Sequence, residues 1–138
     1  MKGSRGFTLV ELMIVVGILG LLAAVAIPQY LGYLSISRMN AARRNFDLAV
    51  SLVENELAKE VSGSLATSDV VADLNRGGKT SPFNAALPAF VNATAPVTGQ
   101  VGISTSDLHG LALGATVTIR GEWTGGHTVD ATETVRKE

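Results

Sequence analysis

Residues 7–34 have the sequence FTLVELMIVVGILGLLAAVAIPQYLGYL, which is apolar almost throughout and contains a single charged residue, Glu11. Backbone polar groups in lipid need partners within their own segment, so a membrane segment of this kind is predicted to be helical. Its length exceeds the roughly 20 residues needed to cross a bilayer. A charge in such a segment costs about 2.5 to 3.5 kcal/mol on insertion scales. Glu11 is therefore a candidate functional residue.

A short basic stretch precedes the apolar run. Residues 1–6 are MKGSRG, with Lys2 and Arg5 as the charged side chains. Positive residues on the near side of a membrane helix favour a cytoplasmic N-terminus. The C-terminal part of the chain is then predicted to lie outside the cytoplasm.

These features together resemble the type IV pilin family and its relatives, the type II secretion pseudopilins. The resemblance covers about the first 60 residues and includes a basic leader ending in Gly6, the aromatic Phe7, Glu11 at a fixed offset and Pro28. It implies that a membrane-embedded prepilin peptidase cleaves after Gly6 and methylates the new amino terminus of Phe7. It also implies that Glu11 acts in assembly by meeting the free amine of Phe7 on a neighbouring subunit.

Three residues weaken the apolar helix from within: Gly17, Gly20 and Pro28. Each glycine costs up to about 1 kcal/mol relative to alanine, and proline removes a backbone hydrogen bond. Membrane helices commonly tolerate such residues. The resemblance favours a sharper hypothesis, in which residues 17–28 bend or unwind locally when subunits pack into a filament.

An ordinary secretory signal peptide is the competing interpretation of the same region. Lys2 and Arg5 would form its basic part, residues 12–22 its apolar core and residues 24–26 its small-residue cleavage site. That interpretation leaves Glu11 without a role. We therefore favour the pilin interpretation.

The helical pattern continues beyond the apolar run. One apolar stripe recurs every three or four residues, which predicts an amphipathic helix that ends near Val61, before Ser62-Gly63-Ser64. The stripe consists of Met39, Ala42, Phe46, Ala49, Val53 and Leu57. The predicted organisation is a leader at 1–6, a transmembrane or filament-core helix half at 7–34, an amphipathic half at 35–61 and a globular head at 62–138.

The head is predicted to be a small antiparallel sheet packed on the amphipathic helix half, which gives an α+β pilin fold. Strands are expected at 100–105, 115–124 and 128–135, and the second of them shows clear alternation of apolar residues. A short helix is expected at 68–75, with Ser68 or Asp69 as its N-cap. Three prolines make 80–99 irregular.

The last two strands are predicted to form a hairpin around Gly125-Gly126. A three-residue loop at 125–127 puts the apolar residues of both strands on one face, because a one-residue slip would turn every side chain of a strand to the other face. This register pairs Trp123 with Val129, Gly121 with Ala131 and Val117 with Val135, and it leaves Ile119 opposite Glu133. Trp123 is then expected to pack on the helix stripe.

The composition of the chain excludes several kinds of chemistry and ligand. The chain has no cysteine, which excludes disulfides, iron–sulfur clusters and thiol catalysis. Its formal net charge of -1 gives no electrostatic case for nucleic acid. The two histidines, His109 and His127, stand beside glycines and outside any known metal-ligand spacing. We expect no enzyme activity, no cofactor and no metal site.

The predicted function is that of a structural subunit of a type IV pilus. The resemblance implies identical subunits in a helical homopolymer as partners, together with the prepilin peptidase, the inner-membrane assembly machinery and membrane lipid before assembly. The precursor is then expected in the bacterial inner membrane and the product in an extracellular filament. The alternatives are a secretion pseudopilin or minor pilin and, more remotely, a membrane-anchored or secreted binding domain.

Overall fold

The computed structural model describes residues 6–64, 69–124 and 130–138. The chain divides into two compact units, residues 1–36 and 37–138, and the first helix contributes to both. The elements in chain order are α1 (Leu9–Val61), α2 (Val70–Leu74), β1 (Phe90–Asn92), β2 (Val101–Ile103), β3 (Thr116–Gly121) and β4 (Ala131–Arg136).

The first unit is helical from Leu9 onward, as the apolar run predicts. The helix continues through Gly17, Gly20 and Pro28. Among the described residues, α1 is the one helix whose length and composition would allow it to cross a membrane, and none of its most apolar stretch is buried.

The second unit holds a four-stranded sheet in the order β1-β2-β3-β4. The expected antiparallel arrangement is confirmed for β2, β3 and β4. β1 pairs with β2 in parallel, so the sheet is mixed. The expectation that residues 80–99 are irregular throughout was wrong at β1, because three residues between prolines give too short a pattern to indicate a strand.

The outer edge of β1 is closed by a side chain. The Asn75 Nδ2 donates to the Phe90 carbonyl at 2.9 Å, and the Phe90 N–H donates to Asn75 Oδ1 at 3.2 Å. Asn75 directly follows α2, whose N-cap is Asp69, one of the two predicted caps. The amide thus takes the place of a strand partner and blocks pairing at an exposed sheet edge.

The hydrophobic core lies between the second half of α1 and one face of the sheet. The predicted stripe is confirmed, because five of its six residues are buried and Met39 is partly buried against the same core. The sheet and α2 contribute Val70, Leu74, Phe90, Val101, Ile103, Val117 and Ile119.

The predicted register of the last two strands is confirmed over the described residues. Val117 pairs with Val135, and Ile119 lies opposite Glu133. The loop at 125–127 and the pairing of Trp123 with Val129 lie outside the described residues.

Trp123 follows β3 and packs on the helix stripe, as predicted. It is only 9% exposed. Its ring makes an edge contact with Phe46, with ring centroids 5.9 Å apart, and the Arg43 guanidinium lies 5.7 Å from its ring centroid. Trp123 therefore joins the end of β3 to α1.

Hydrogen bonds at both ends of β4 hold this strand in the head, which has no cysteine to form a disulfide. The Asp130 carboxylate accepts hydrogen bonds from the backbone N–H groups of Trp123 and Thr124, the latter at 2.8 Å, and from the Thr124 hydroxyl at 2.6 Å. At the other end of β4, Lys137 Nζ donates to the Leu111 carbonyl at 2.6 Å. Both ends of β4 are thus held to neighbouring loops.

The hydrogen bonds to the Asp130 carboxylate predict that the stability of the head depends on pH. Burial raises the pKa of Asp130, but the hydrogen bonds from the Thr124 hydroxyl and from the Trp123 and Thr124 backbone outweigh it and hold the pKa below its ordinary value. A lowered folded-state pKa contributes stability above the unfolded value of about 3.9, and this stability is lost as the pH falls through the folded value. Asp130→Asn should therefore lower the melting temperature by a few degrees near neutral pH and lose that difference in strong acid.

The measurement is thermal unfolding of the detergent-solubilised chain, followed by fluorescence of Trp123, the only tryptophan. Asp107→Asn is a matched control, because the Asp107 side chain accepts one hydrogen bond from the described residues, that of the His109 N–H. A stability difference between wild type and Asp130→Asn that stays constant down to strong acid would contradict this account.

Candidate functional site

Thr8 and Glu11 form a reciprocal set of hydrogen bonds at the start of α1. The Glu11 N–H donates to Thr8 Oγ1 at 3.2 Å. In return, Glu11 Oε2 accepts from the Thr8 N–H at 3.0 Å and from the Thr8 hydroxyl at 2.7 Å. A threonine at the N-cap and a glutamate three residues later, bonded in this way, make a capping box.

The capping box changes the status of Glu11. The sequence suggested a lone charge, whereas the carboxylate has a partner within its own turn. The carboxylate satisfies the Thr8 N–H, and the Thr8 hydroxyl oxygen satisfies the Glu11 N–H, both of which a helix start leaves without helical partners. The helix dipole also favours a negative charge there. Thr8 is the residue that sequence reasoning missed. The signal was present, because T-x-x-E immediately before an apolar run is the sequence signature of this motif.

One carboxylate oxygen remains available for another partner. Glu11 Oε2 takes both bonds from Thr8, and Oε1 makes no hydrogen bond within the described part of the chain. The side chain is exposed, as are Gly6 and Phe7, and Phe7 is 80% exposed. The turn therefore presents an oriented carboxylate that a cation can approach from outside the subunit.

The other predicted residues of the helix lie apart from this turn. A Cβ added to Gly17 or Gly20 would meet nothing within 4 Å, so neither glycine is required by packing inside the subunit. Pro28 lies inside α1. Small residues on an exposed apolar helix allow another helix to approach closely. Any packing reason for these glycines must therefore come from a partner.

His109 has a structural contact. Its Nδ1 lies 3.2 Å from Glu60 Oε1, which also accepts the Gly110 N–H at 2.8 Å. These contacts hold the loop after residue 107 on the end of α1. His127 lies outside the described residues. Within the ranges that the structure covers, no group of three or more His, Asp or Glu side chains is placed to hold a metal ion.

Comparisons with known proteins match the N-terminal region to a methylation motif. Residues 1–27 match the family described as "Prokaryotic N-terminal methylation motif". The chain is similar to a "Type IV major fimbrial protein FimA" of Dichelobacter nodosus, with 35% identity over 139 residues that cover 87% of this chain and 85% of the relative. No solved structure matches.

Other relatives match over shorter stretches. A "Fimbrial protein" of Pseudomonas aeruginosa is 40% identical over 76 residues, which cover 54% of this chain and 49% of the relative. The "Type IV major pilin protein PilA" of Myxococcus xanthus is 52% identical over 42 residues, which cover 30% of this chain and 19% of the relative. The chain thus spans about half the length of the Pseudomonas relative.

Proposed function

This chain belongs to the type IV pilin family, and we propose that it is the major, repeating subunit of a pilus filament. The Dichelobacter relative, which the chain matches over 85% of its length, supports membership of this family of structural, non-enzymatic subunits. The words "major fimbrial protein" in that relative's name favour the abundant subunit over a minor pilin or a secretion pseudopilin.

The observation that carries the proposal is the exposed surface of the first unit. From Phe7 to Ile36, every large apolar or aromatic side chain except Leu34 is at least 44% exposed, and Leu34 is partly covered. In the second unit, only Leu48, Val61, Val97 and Leu113 among the described large apolar residues are exposed. An apolar surface of this extent needs a cover. Lipid would supply it before assembly, and the same helix of identical subunits would supply it in the filament.

Leader cleavage would convert the first turn into an assembly site. In the precursor, the Phe7 nitrogen belongs to an uncharged peptide bond, so it offers nothing to a carboxylate. Cleavage by the prepilin peptidase creates an amine there, which can pair with a carboxylate when it is protonated. The capping box holds Glu11 in place, and its Oε1, which accepts no hydrogen bond from the described residues, is available to receive the amine of a neighbouring subunit. Membrane insertion with a cytoplasmic N-terminus would place this step in the inner membrane, where the assembly machinery acts.

The predicted cleavage is tested by mass spectrometry of the mature protein. We expect a chain that begins at Phe7 and carries one additional methyl group. Gly6→Leu should leave uncut precursor in the membrane, because it puts a bulky residue at the proposed cut. A Cβ on Gly6 would meet nothing within 4 Å in the described structure, so the substitution should leave the fold intact. Gly3→Leu, which alters the leader away from the cut, should be processed normally. A mature chain that starts at Met1 or Ile27 would refute the proposed processing.

The subunit role has a separate test. Deletion of the gene should remove long filaments from the cell surface, as seen by electron microscopy. Filaments of normal length and number after deletion, with a loss of protein secretion instead, would favour the pseudopilin.

A further inference from the structure

The face of the sheet that points away from the core presents threonine and arginine. Val117 and Ile119 point into the core, so the alternating residues of β3 point outward. Directly paired residues of neighbouring strands share a face, which puts three residues of β4 beside them. The outward pairs are Thr116 with Arg136, Thr118 with Thr134 and Arg120 with Thr132. We call these six residues the Thr–Arg face.

The Thr–Arg face is the open half of the outer surface. The segment after β1 covers the β2 half, where a Cβ on Gly102 would lie 3.1 Å from Pro96 Cδ and closer still to the Ala93 carbonyl. Arg120 marks the border, because its Nη1 donates to the Thr94 carbonyl at 2.9 Å. On β4, Thr132, Thr134 and Arg136 are all exposed.

The two arginines of this face have no ion-pair partner in the part of the chain that the structure describes. The buried Nε of Arg120 has no hydrogen-bond acceptor in the same part of the chain. Glu133 lies on the opposite face, since it pairs with Ile119. The six residues of the Thr–Arg face therefore carry two positive charges and no negative charge, although the whole chain has a net charge of -1.

The arginines occupy opposite corners of the face. Arg120 and Thr116 are four residues apart on β3, and Arg136 is the β4 partner of Thr116. The two arginines are therefore roughly 13 Å apart along the strand direction and one strand apart across the sheet. Thr118 and Thr134 lie between them as a direct pair. An extended ligand could thus contact a cation, then hydroxyls, then a second cation.

We propose that the Thr–Arg face binds an extended acidic polysaccharide, whose sugar rings carry carboxylates. Guanidinium groups bind carboxylates in a bidentate geometry, and threonine hydroxyls both donate and accept, as sugar hydroxyls do. The six positions include no aromatic ring for stacking bases, and two cations are few for a nucleic acid backbone. The inference rests on the proposed function in one respect. A filament repeats the face, so the weak contacts made by single subunits add up to tight binding of one polysaccharide chain.

The test uses the full chain in a non-ionic detergent, so that it does not depend on assembly. Equilibrium binding of alginate oligomers, a pure polyuronate, is measured at low salt, with neutral dextran and duplex DNA as comparison probes. We expect alginate to bind and dextran not to bind. Arg136→Gln should weaken alginate binding about tenfold, the effect of one lost charge-assisted contact. Arg44→Gln removes the same charge from an exposed position of α1 and should change binding less than about twofold.

Thr134→Val checks the hydroxyls separately, because valine keeps the shape and strand preference of threonine. It should weaken binding while Trp123 fluorescence reports an intact head. The absence of alginate binding, equal losses in Arg136→Gln and Arg44→Gln, or tighter binding of DNA than of alginate would each overturn the proposal. Normal pili with no alginate binding would leave the subunit role standing, whereas binding by a chain that forms no pili would count against the subunit role alone.

Discussion

Cells that produce only the Glu11→Ala subunit should lose nearly all of their filaments. If the Glu11 carboxylate meets the Phe7 amine as we propose, each contact between neighbouring subunits would lose that carboxylate and leave the amine buried without a partner, at a cost of about 3 to 5 kcal/mol. We expect filament yield, measured by shearing and quantification of surface pili, to fall more than about tenfold as a result. Insertion of the precursor into the membrane should persist or become easier, because the variant removes a charge from an apolar segment.

Thr8→Ala separates the two roles of Glu11. It removes the capping hydroxyl, which costs the helix about 1 kcal/mol, but keeps the carboxylate. It should therefore reduce filament yield far less than Glu11→Ala does. Equal losses in the two variants would mean that helix capping, and not charge pairing, explains the need for Glu11. Normal yield from Glu11→Ala alone would exclude the assembly role.

The second large effect is expected in the head, where Trp123→Ala should destabilise the fold by roughly 3 to 5 kcal/mol. The ring is 9% exposed and lies against Phe46 and Arg43, so its removal leaves a cavity between α1 and the sheet. For a unit of about 100 residues, this loss corresponds to a drop in melting temperature of roughly 15 °C or more. Circular dichroism of the solubilised chain is the appropriate measurement, because the variant lacks the only tryptophan.

Gly121 provides a matched test of the same packing. A Cβ on Gly121 would lie 2.5 Å from the Trp123 ring and 3.1 Å from Phe46. Gly121→Ala should therefore cost about 1 to 3 kcal/mol by overpacking in the wild-type background and much less when Trp123 is already alanine. Leu113→Ala, at a side chain that is 76% exposed, should be close to neutral. A Trp123→Ala variant as stable as Leu113→Ala would disprove the anchoring role.

Much of the candidate site was accessible from the sequence, because its residues are close together in the chain. The family resemblance carried by Gly6, Phe7 and Glu11 predicted a processing and assembly site, and residues 1–27 match a methylation motif. Thr8 was equally accessible, since a capping box spans only three residues. The roles of Gly17, Gly20 and Pro28 remain predictions, because the packing that would explain them involves other subunits.

The sequence by itself determined the features that depend on local periodicity: the apolar helix, the stripe on its second half and the register of Val117 with Val135, which alternation permits in only one phase. Only the tertiary structure decided the contacts between distant segments. Four features depend on particular neighbours: the parallel pairing of β1, the hydrogen bonds of Asn75 to its edge, the hydrogen bonds to Asp130 and the tight space around Gly121. The physical reason is that a hydrophobic pattern shows which side of an element is buried, whereas the fit of each backbone group with its partner depends on which segments meet in the folded chain.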